Sequence, residues 1–385
     1  WGIEARRETY KIGRGDLASY QAGPFAGSPG ASNFPGFQPD NEVDVDRTNV
    51  GAYIDLETEI TKSFLVSGAV RAEHYSDFGD NLSGKVSARY DFTPNLAIRA
   101  AVSNGFRAPS LQQSYFTSTA TVVNGGLFLE TGTFPATNPV SVAYGAKPLD
   151  AEKSNNYSVG FVGTLGEFTA TVDAYEIDIK NQILLSGNLP VTALPPAQQP
   201  AGISQARFFL NGVNSNVFGV DVVTSYRLRT TPIGDFDFTL AGTYNNYDIT
   251  KLPANNQFSP TVQIFDRQAQ LRFEKSQPRY KVNFGTDWHY DQFSATLHAT
   301  NYGEVLVPNN NPALDFTLGP KTVVDLEGRY ELSEHVTLAL GAENLLDVYP
   351  TNTPQAQVTT GLGFSSFSPF GFNGRFIYGR FSFKW

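Results

Sequence analysis

Polar and apolar residues alternate with a period of two along most of this 385-residue chain. In the stretch 322–332, Val324, Leu326, Tyr330 and Leu332 fall on one side and Asp325, Glu327, Arg329 and Glu331 on the other, because successive side chains of a strand point to opposite faces. Four charges on one face cannot line a dry core. The stretch 279–290 sets Tyr280, Val282, Phe284, Trp288 and Tyr290 against Arg279, Lys281, Asn283, Asp287 and His289, with its rings gathered at the two ends. The same alternation runs through 50–60, 85–92 and 96–102. It also runs through the last residues, where Ile377, Gly379, Phe381, Phe383 and Trp385 oppose Tyr378, Arg380, Ser382 and Lys384. Together these predict about fourteen strands, near 2–12, 48–60, 63–75, 82–92, 95–103, 154–165, 167–180, 215–229, 235–250, 279–290, 293–303, 320–332, 335–345 and 373–385. No helical stretch competes with them.

The segments between these strands fall into two alternating classes. Short turns at 61–62, 93–95, 166–167, 230–235, 291–292 and 333–334 join every second pair. The others are long stretches rich in Gly, Pro, Asn and Phe, near 13–46, 104–153, 181–214, 251–278, 304–319 and 346–372, with 76–81 the short exception. Short turns on one rim and long loops on the other describe an antiparallel meander across an outer membrane, with the long loops extracellular. About 11 residues at roughly 3.3 Å, tilted by about 40°, span on the order of 27 Å, the height of a hydrocarbon layer. The competing all-β reading is a soluble sandwich or propeller. Such a fold buries one face dry and rarely combines charged inner faces with aromatic outer ones. The expected fold class is therefore all-β, a transmembrane antiparallel meander β-barrel.

Composition narrows the reading. Thirty Phe, 18 Tyr and 35 Gly favour strands with interfacial rings over helices. No uncharged apolar run approaches the roughly 20 residues that a spanning helix needs. The net charge of −9 argues against a nucleic-acid partner, which requires a basic face. The absence of cysteine excludes a disulfide scaffold, thiolate metal sites and a cysteine nucleophile. The absence of methionine in so long a chain, opening on Trp1-Gly2-Ile3-Glu4, suggests a processed or excised piece.

Catalytic chemistry finds no foothold. His74, His289, His298 and His335 form no metal-ligand spacing. Ser294 and His298 share a strand face but stand four residues apart, about 13 Å, too far for a nucleophile and its base. The stretch 76–84 reads as a hairpin turn before a calcium loop. Expectations for catalytic, cofactor-binding and metal residues are therefore none. Loop aromatics such as Phe128, Phe134, Tyr144, Phe364, Phe367, Phe370 and Phe372 suit flat, glycosidic or chelate ligands, or simply pack the loops together.

Four motifs, in order, carry a family resemblance: "SNGFRAPSLQQSYF" (103–116), "LDAEKSNNYSVGF" (149–161), "GAENLLDVYP" (341–350) and the terminal "GRFIYGRFSFKW", together with "RAEHYSDFG" (71–79). The chain resembles the C-terminal part of the barrel of TonB-dependent outer-membrane transporters over essentially its whole length. Physically, Ala108-Pro109 ends a ladder because proline donates no hydrogen bond, and Pro350 ends another; both read as structural strand-to-loop transitions.

The resemblance implies a 22-stranded barrel around a plug, so that the plug, the first strands and the segment gripped by TonB lie upstream. It implies TonB-energised uptake of a ferric siderophore, a cobalamin or an oligosaccharide, without enzymatic activity, in the outer membrane of a Gram-negative bacterium. The implied partners are outer-membrane lipid, the TonB complex, the barrel-assembly machinery and a small-molecule, chelate or glycan ligand. Phe381, Phe383 and Trp385 are the implied barrel-assembly signal. Two alternatives stand beside this reading: a passive porin or barrel scaffold, and a soluble carbohydrate-binding β-protein.

Overall fold

A computed structural model describes residues 1–21, 35–124, 127–253, 262–354 and 363–385; parts of the expected long connections, at 22–34, 125–126, 254–261 and 355–362, lie outside these. The strands are β1 (Gly2–Ile12), β2 (Val43–Thr61), β3 (Phe64–Tyr75), β4 (Gly79–Thr93), β5 (Leu96–Arg107), β6 (Ser118–Asn124), β7 (Leu127–Phe134), β8 (Glu152–Leu165), β9 (Phe168–Leu185) and β10 (Leu189–Pro190). They continue as β11 (Gln205–Thr231), β12 (Gly234–Lys251), β13 (Tyr280–Tyr290), β14 (Phe293–Tyr302), β15 (Val305–Val307), β16 (Phe316–Leu318), β17 (Lys321–Ser333), β18 (Val336–Glu343) and β19 (Phe376–Phe383).

Fourteen of these form one antiparallel wall in the order β1-β2-β3-β4-β5-β8-β9-β11-β12-β13-β14-β17-β18-β19. Each predicted segment became one wall strand. Among the described residues β1 does not pair with β19, so the sheet is open. Because neighbours run antiparallel, the two-residue turns after β2, β4, β8, β11, β13 and β17 share one rim. The connections 13–42, 76–78, 108–151, 186–204, 252–279, 303–320 and 344–375 share the other.

The alternation sorts the faces as read. Leu56, Val86, Leu340 and Phe381 are exposed on the outer side, where hydrocarbon and not water is the solvent. Among the described residues no helix is long and apolar enough to cross a membrane.

The departures lie in the long connections. β11 begins ten residues before its predicted start and leaves the wall: Gln205–Phe208 pairs parallel with Thr131–Phe134. β6 and β7 form a hairpin, and β15 and β16 a second, smaller one. A nine-residue helix, Arg267–Lys275, occupies a connection where none was expected. Its apolar residues Ala269, Leu271 and Phe273 stand two apart and mimic strand alternation. The signal that marks it is Asp266, whose side chain accepts from the Ala269 amide at 2.8 Å, the geometry of an N-cap.

Candidate functional site

The inner face of the wall is a charged surface held by cross-strand bridges. Arg99 of β5 forks onto Asp173 of β9, Nε to Oδ1 at 3.0 Å and Nη2 to Oδ2 at 2.6 Å, although β8 lies between them. The intervening residue is Gly160, opposite Arg99 on one side and Asp173 on the other. The device recurs. Gly341 lies between Glu327 and Tyr378, whose hydroxyl donates to Glu327 Oε2 at 2.8 Å. Gly51 lies between Glu4 and Glu73, both bonded to Arg71 at 3.0 and 2.8 Å. Gly219 lies between Tyr175 and Asn245, which bond to each other. A side chain on the middle strand would obstruct each bridge, so these strands carry none there.

Glu327 is the most concentrated of these centres. It is buried and accepts from Arg329 Nε at 2.5 Å, Arg380 Nη2 at 2.7 Å and Tyr378. Arg329 also donates to Thr296, whose hydroxyl bonds Asp287 at 2.6 Å, so the polar row extends from β19 to β13. Arg89 bonds Asp91, and Asp325 accepts from the Asn344 amide at 2.7 Å. Asp325, Glu327 and Arg329 share the inner face as the alternation of 322–332 expects, with Leu326 exposed on the opposite one, and Phe284 is exposed on the face opposite Asp287. Glu57, Lys85, Arg89, Arg99 and Asp173 line an inner concavity of about 450 Å³.

On the long-loop rim, motifs separated in sequence meet. Arg107 of "GFRAPS" forks onto Glu152 of "LDAEKS", which is buried and also accepts the Ile183 amide at 2.7 Å. The Pro109 carbonyl accepts from Arg47 Nη1 at 2.6 Å, while Glu8 takes the same guanidinium's Nη2 at 2.6 Å. Arg47 lies over the Tyr75 ring, which stacks on Phe78 at 4.4 Å. Ser110 caps the short helix Leu111–Tyr115 in a reciprocal box with Gln113. "NLLDVYP" closes on itself: Asn344, at φ 50°, bonds both the amide and the carbonyl of Val348. These motifs anchor loops, as the structural reading expected.

The loops above the wall have a core of their own, built from Tyr144, Leu189, Val191, Leu194, Ala206, Phe208, Leu210, Val262 and Ile264. Burial pushes the Tyr144 phenol up to about 12, so it remains a donor, to the Pro190 carbonyl at 2.9 Å. The helix Arg267–Lys275 is strapped to the β15–β16 hairpin: Arg267 forks onto Asp315 at 3.0 and 2.6 Å and also donates to the Asn309 carbonyl. Hydrogen bonds from Arg267 hold the Asp315 carboxyl below its usual range, so the strap stays charged at neutral pH.

The loop aromatics divide. Tyr144 is core, and Phe134 packs against that core. Phe364 stacks between Tyr349 and Phe372, Phe370 stacks on Tyr302, and Arg272 lies over Phe367; the Phe128 side chain lies outside the described ones. No group of three or more metal-binding side chains gathers among the described residues. Phe381 and Phe383 are exposed on the outer face of β19, whereas Trp385 stands beyond the ladder, whose last bonds join Lys384 and His335.

The sequence profile of the family described as TonB dependent receptor-like, beta-barrel matches residues 3–345. An iron-regulated outer membrane virulence protein of Vibrio cholerae is 21% identical over 310 residues, 79% of this chain and 41% of the relative. The vitamin B12 transporter BtuB of the same species is 19% identical over 307 residues, 80% and 40% of the two chains. The chain thus spans about two fifths of the length of the curated relatives it matches. Among solved structures, a mutant of the ferric enterobactin receptor PfeA from Pseudomonas aeruginosa superposes with a TM-score of 0.65 at 16% identity, covering 99% of this chain and 50% of that one. The siderophore receptor PirA from Acinetobacter baumannii gives 0.62 at 15% identity, covering 90% and 47%. These likenesses concern the fold.

Proposed function

This chain belongs to the TonB-dependent receptor β-barrel family, and from that premise we propose that it supplies wall and loop rim to a receptor that takes up a scarce ligand with energy delivered through TonB. The protein resides in the outer membrane of a Gram-negative bacterium, and the proteins it resembles are receptors and transporters, not enzymes. That location sets the soluble carbohydrate-binding reading aside. The observation that carries the proposal is the profile match across residues 3–345. A ferric siderophore is the first ligand class to test, because receptors named for siderophores share this fold over 90% or more of the chain. A cobalamin is second, on the likeness to a vitamin B12 transporter, and an oligosaccharide third.

The test is growth of a strain lacking the protein, with and without a plasmid copy, on ferric siderophores under iron limitation, on cobalamin as the sole corrinoid source, or on an oligosaccharide as the sole carbon source. One ligand class is expected to restore growth only when TonB is intact. Restoration without TonB would make the protein a passive pore, and no restoration by any of the three classes would end the uptake reading.

The same proposal gives Phe381, Phe383 and Trp385 the role of an assembly signal read by the barrel-assembly machinery. Trp385 is 99% exposed, so Trp385→Ser leaves every ladder bond in place and isolates recognition. We expect the variant to lower the amount of heat-modifiable folded protein in outer membranes. An unchanged amount would leave Trp385 an ordinary interfacial ring.

A further inference from the structure

The inner face changes character beneath the loops that follow β12, β14 and β18. Elsewhere on it Arg71, Arg99, Arg329 and Arg380 each hold a carboxylate. Near the long-loop rim the registers set Lys281 of β13 and Lys321 of β17 on either side of Tyr302 of β14. All three face inward, because Lys281 shares a face with Asp287 and Lys321 with Glu327. Neighbouring strands lie about 4.8 Å apart, so the two lysine stems stand roughly 10 Å from each other with one ring between them.

A third cation reaches this place from above. The helix Arg267–Lys275 sits over the inner side of β12: its Phe273 packs edge-on against Tyr247 at 6.3 Å, and Tyr247 shares a face with Asn245. Arg272 lies over the Phe367 ring at 5.6 Å, and Phe370 of the same segment stacks on Tyr302 at 5.7 Å. The Lys281 ammonium in turn lies 5.4 Å from the Tyr302 ring centre. Among the described residues no carboxylate stands within ion-pair distance of Arg272, Lys281 or Lys321. Two acids close to them in sequence, Glu274 and Asp325, accept from the Ile249 and Asn344 amides instead. A π face orients a cation without neutralising it and leaves its N–H groups free for an acceptor. In a chain of net charge −9, three such cations gathered at one place form a surface for an anion.

We propose that Arg272, Lys281 and Lys321 receive a multiply anionic ligand, with Tyr302 setting the two lysines apart to span it, so that the cargo is an anionic chelate. An uncharged sugar or an uncharged chelate would offer these cations only dipoles. The lysines face the lumen, so the surface meets solutes entering the mouth and not lipid. The inference rests on the uptake reading and narrows its ligand class.

The full-length protein, purified in detergent, can be titrated with a trianionic ferric tris-catecholate and with an uncharged ferric tris-hydroxamate, each followed by quenching of the protein's fluorescence. The catecholate is expected to bind about tenfold more tightly, with an affinity that falls as salt rises. Lys281→Gln combined with Lys321→Gln should weaken it on the order of tenfold and flatten the salt dependence. Lys281→Arg combined with Lys321→Arg should retain most of the affinity, and neither pair should change hydroxamate binding. Heat modifiability checks that the variants fold. Hydroxamate bound as tightly as the catecholate, or catecholate binding unchanged in the glutamine pair, would overturn the proposal. If neither chelate binds, the inference fails together with the ferric-chelate class; if the hydroxamate alone binds and supports growth, only the inference fails.

Discussion

Glu327→Leu is expected to weaken the folded wall by about 2 kcal/mol, read as a lower urea midpoint for unfolding in detergent. The carboxylate is the one acceptor that Arg329, Arg380 and Tyr378 share. Leucine removes it and leaves two guanidinium groups facing each other across β18. Removing one member of a fully buried ion pair costs roughly 3–5 kcal/mol. The value here is lower because the Arg380 side chain is about half exposed to the lumen, where water screens it. Glu327→Gln keeps two acceptor lone pairs and loses the charge, so it should fall between wild type and leucine. If leucine and wild type unfold at the same urea concentration, the centre contributes nothing and the three contacts are incidental.

The bridges and the loop core divide the work of holding the molecule. The wall has lipid on its outer face, so burial against a second layer is not available to it; its strands are joined by ladder bonds and by the inner bridges. The loops stand in water and are held by ordinary apolar packing around Phe208 and Tyr144.

The wall was legible because its environment imposes period two on every strand: a lipid-facing side chain and a lumen-facing one must alternate. In the segment containing Leu326 and Glu327, the sequence states both faces without any knowledge of neighbours. The loop core was not legible. Tyr144, Val191, Phe208 and Ile264 come from four separate stretches, none periodic, and only the tertiary arrangement makes them one cluster. The start of β11 was hidden for the same reason, since Gln205–Phe208 pairs with β7, outside the wall. The motif residues were recognisable, but their mutual contacts were not: nothing local to Arg107 points to Glu152, or to Arg47 reaching Pro109. The placement of Lys281 and Lys321 on either side of Tyr302 needed the strand registers, because nothing local to either lysine points to the other.

The glycine bridges are the part of the wall most open to a decisive experiment, because the predicted effect changes sign with the genetic background. A β-carbon at Gly160 would lie 1.9 Å from Asp173 Oδ1 and 3.1 Å from Arg99 Nε, so Gly160→Ala must displace the carboxylate and break the fork. The fork is half exposed and contributes about 1 kcal/mol or less by itself. Displacing a seated side chain adds a similar amount, for an expected loss of about 1–2 kcal/mol in the urea titration. In an Asp173→Ala background neither term remains. There the alanine should stabilise by about 0.5 kcal/mol, because it restricts the unfolded chain more than glycine does at a position whose extended backbone it can adopt. A loss of the same size in both backgrounds would mean that Gly160 is required for a reason other than the Arg99–Asp173 bridge, and the account of Gly51, Gly219 and Gly341 as spacers under bridges would lose its support.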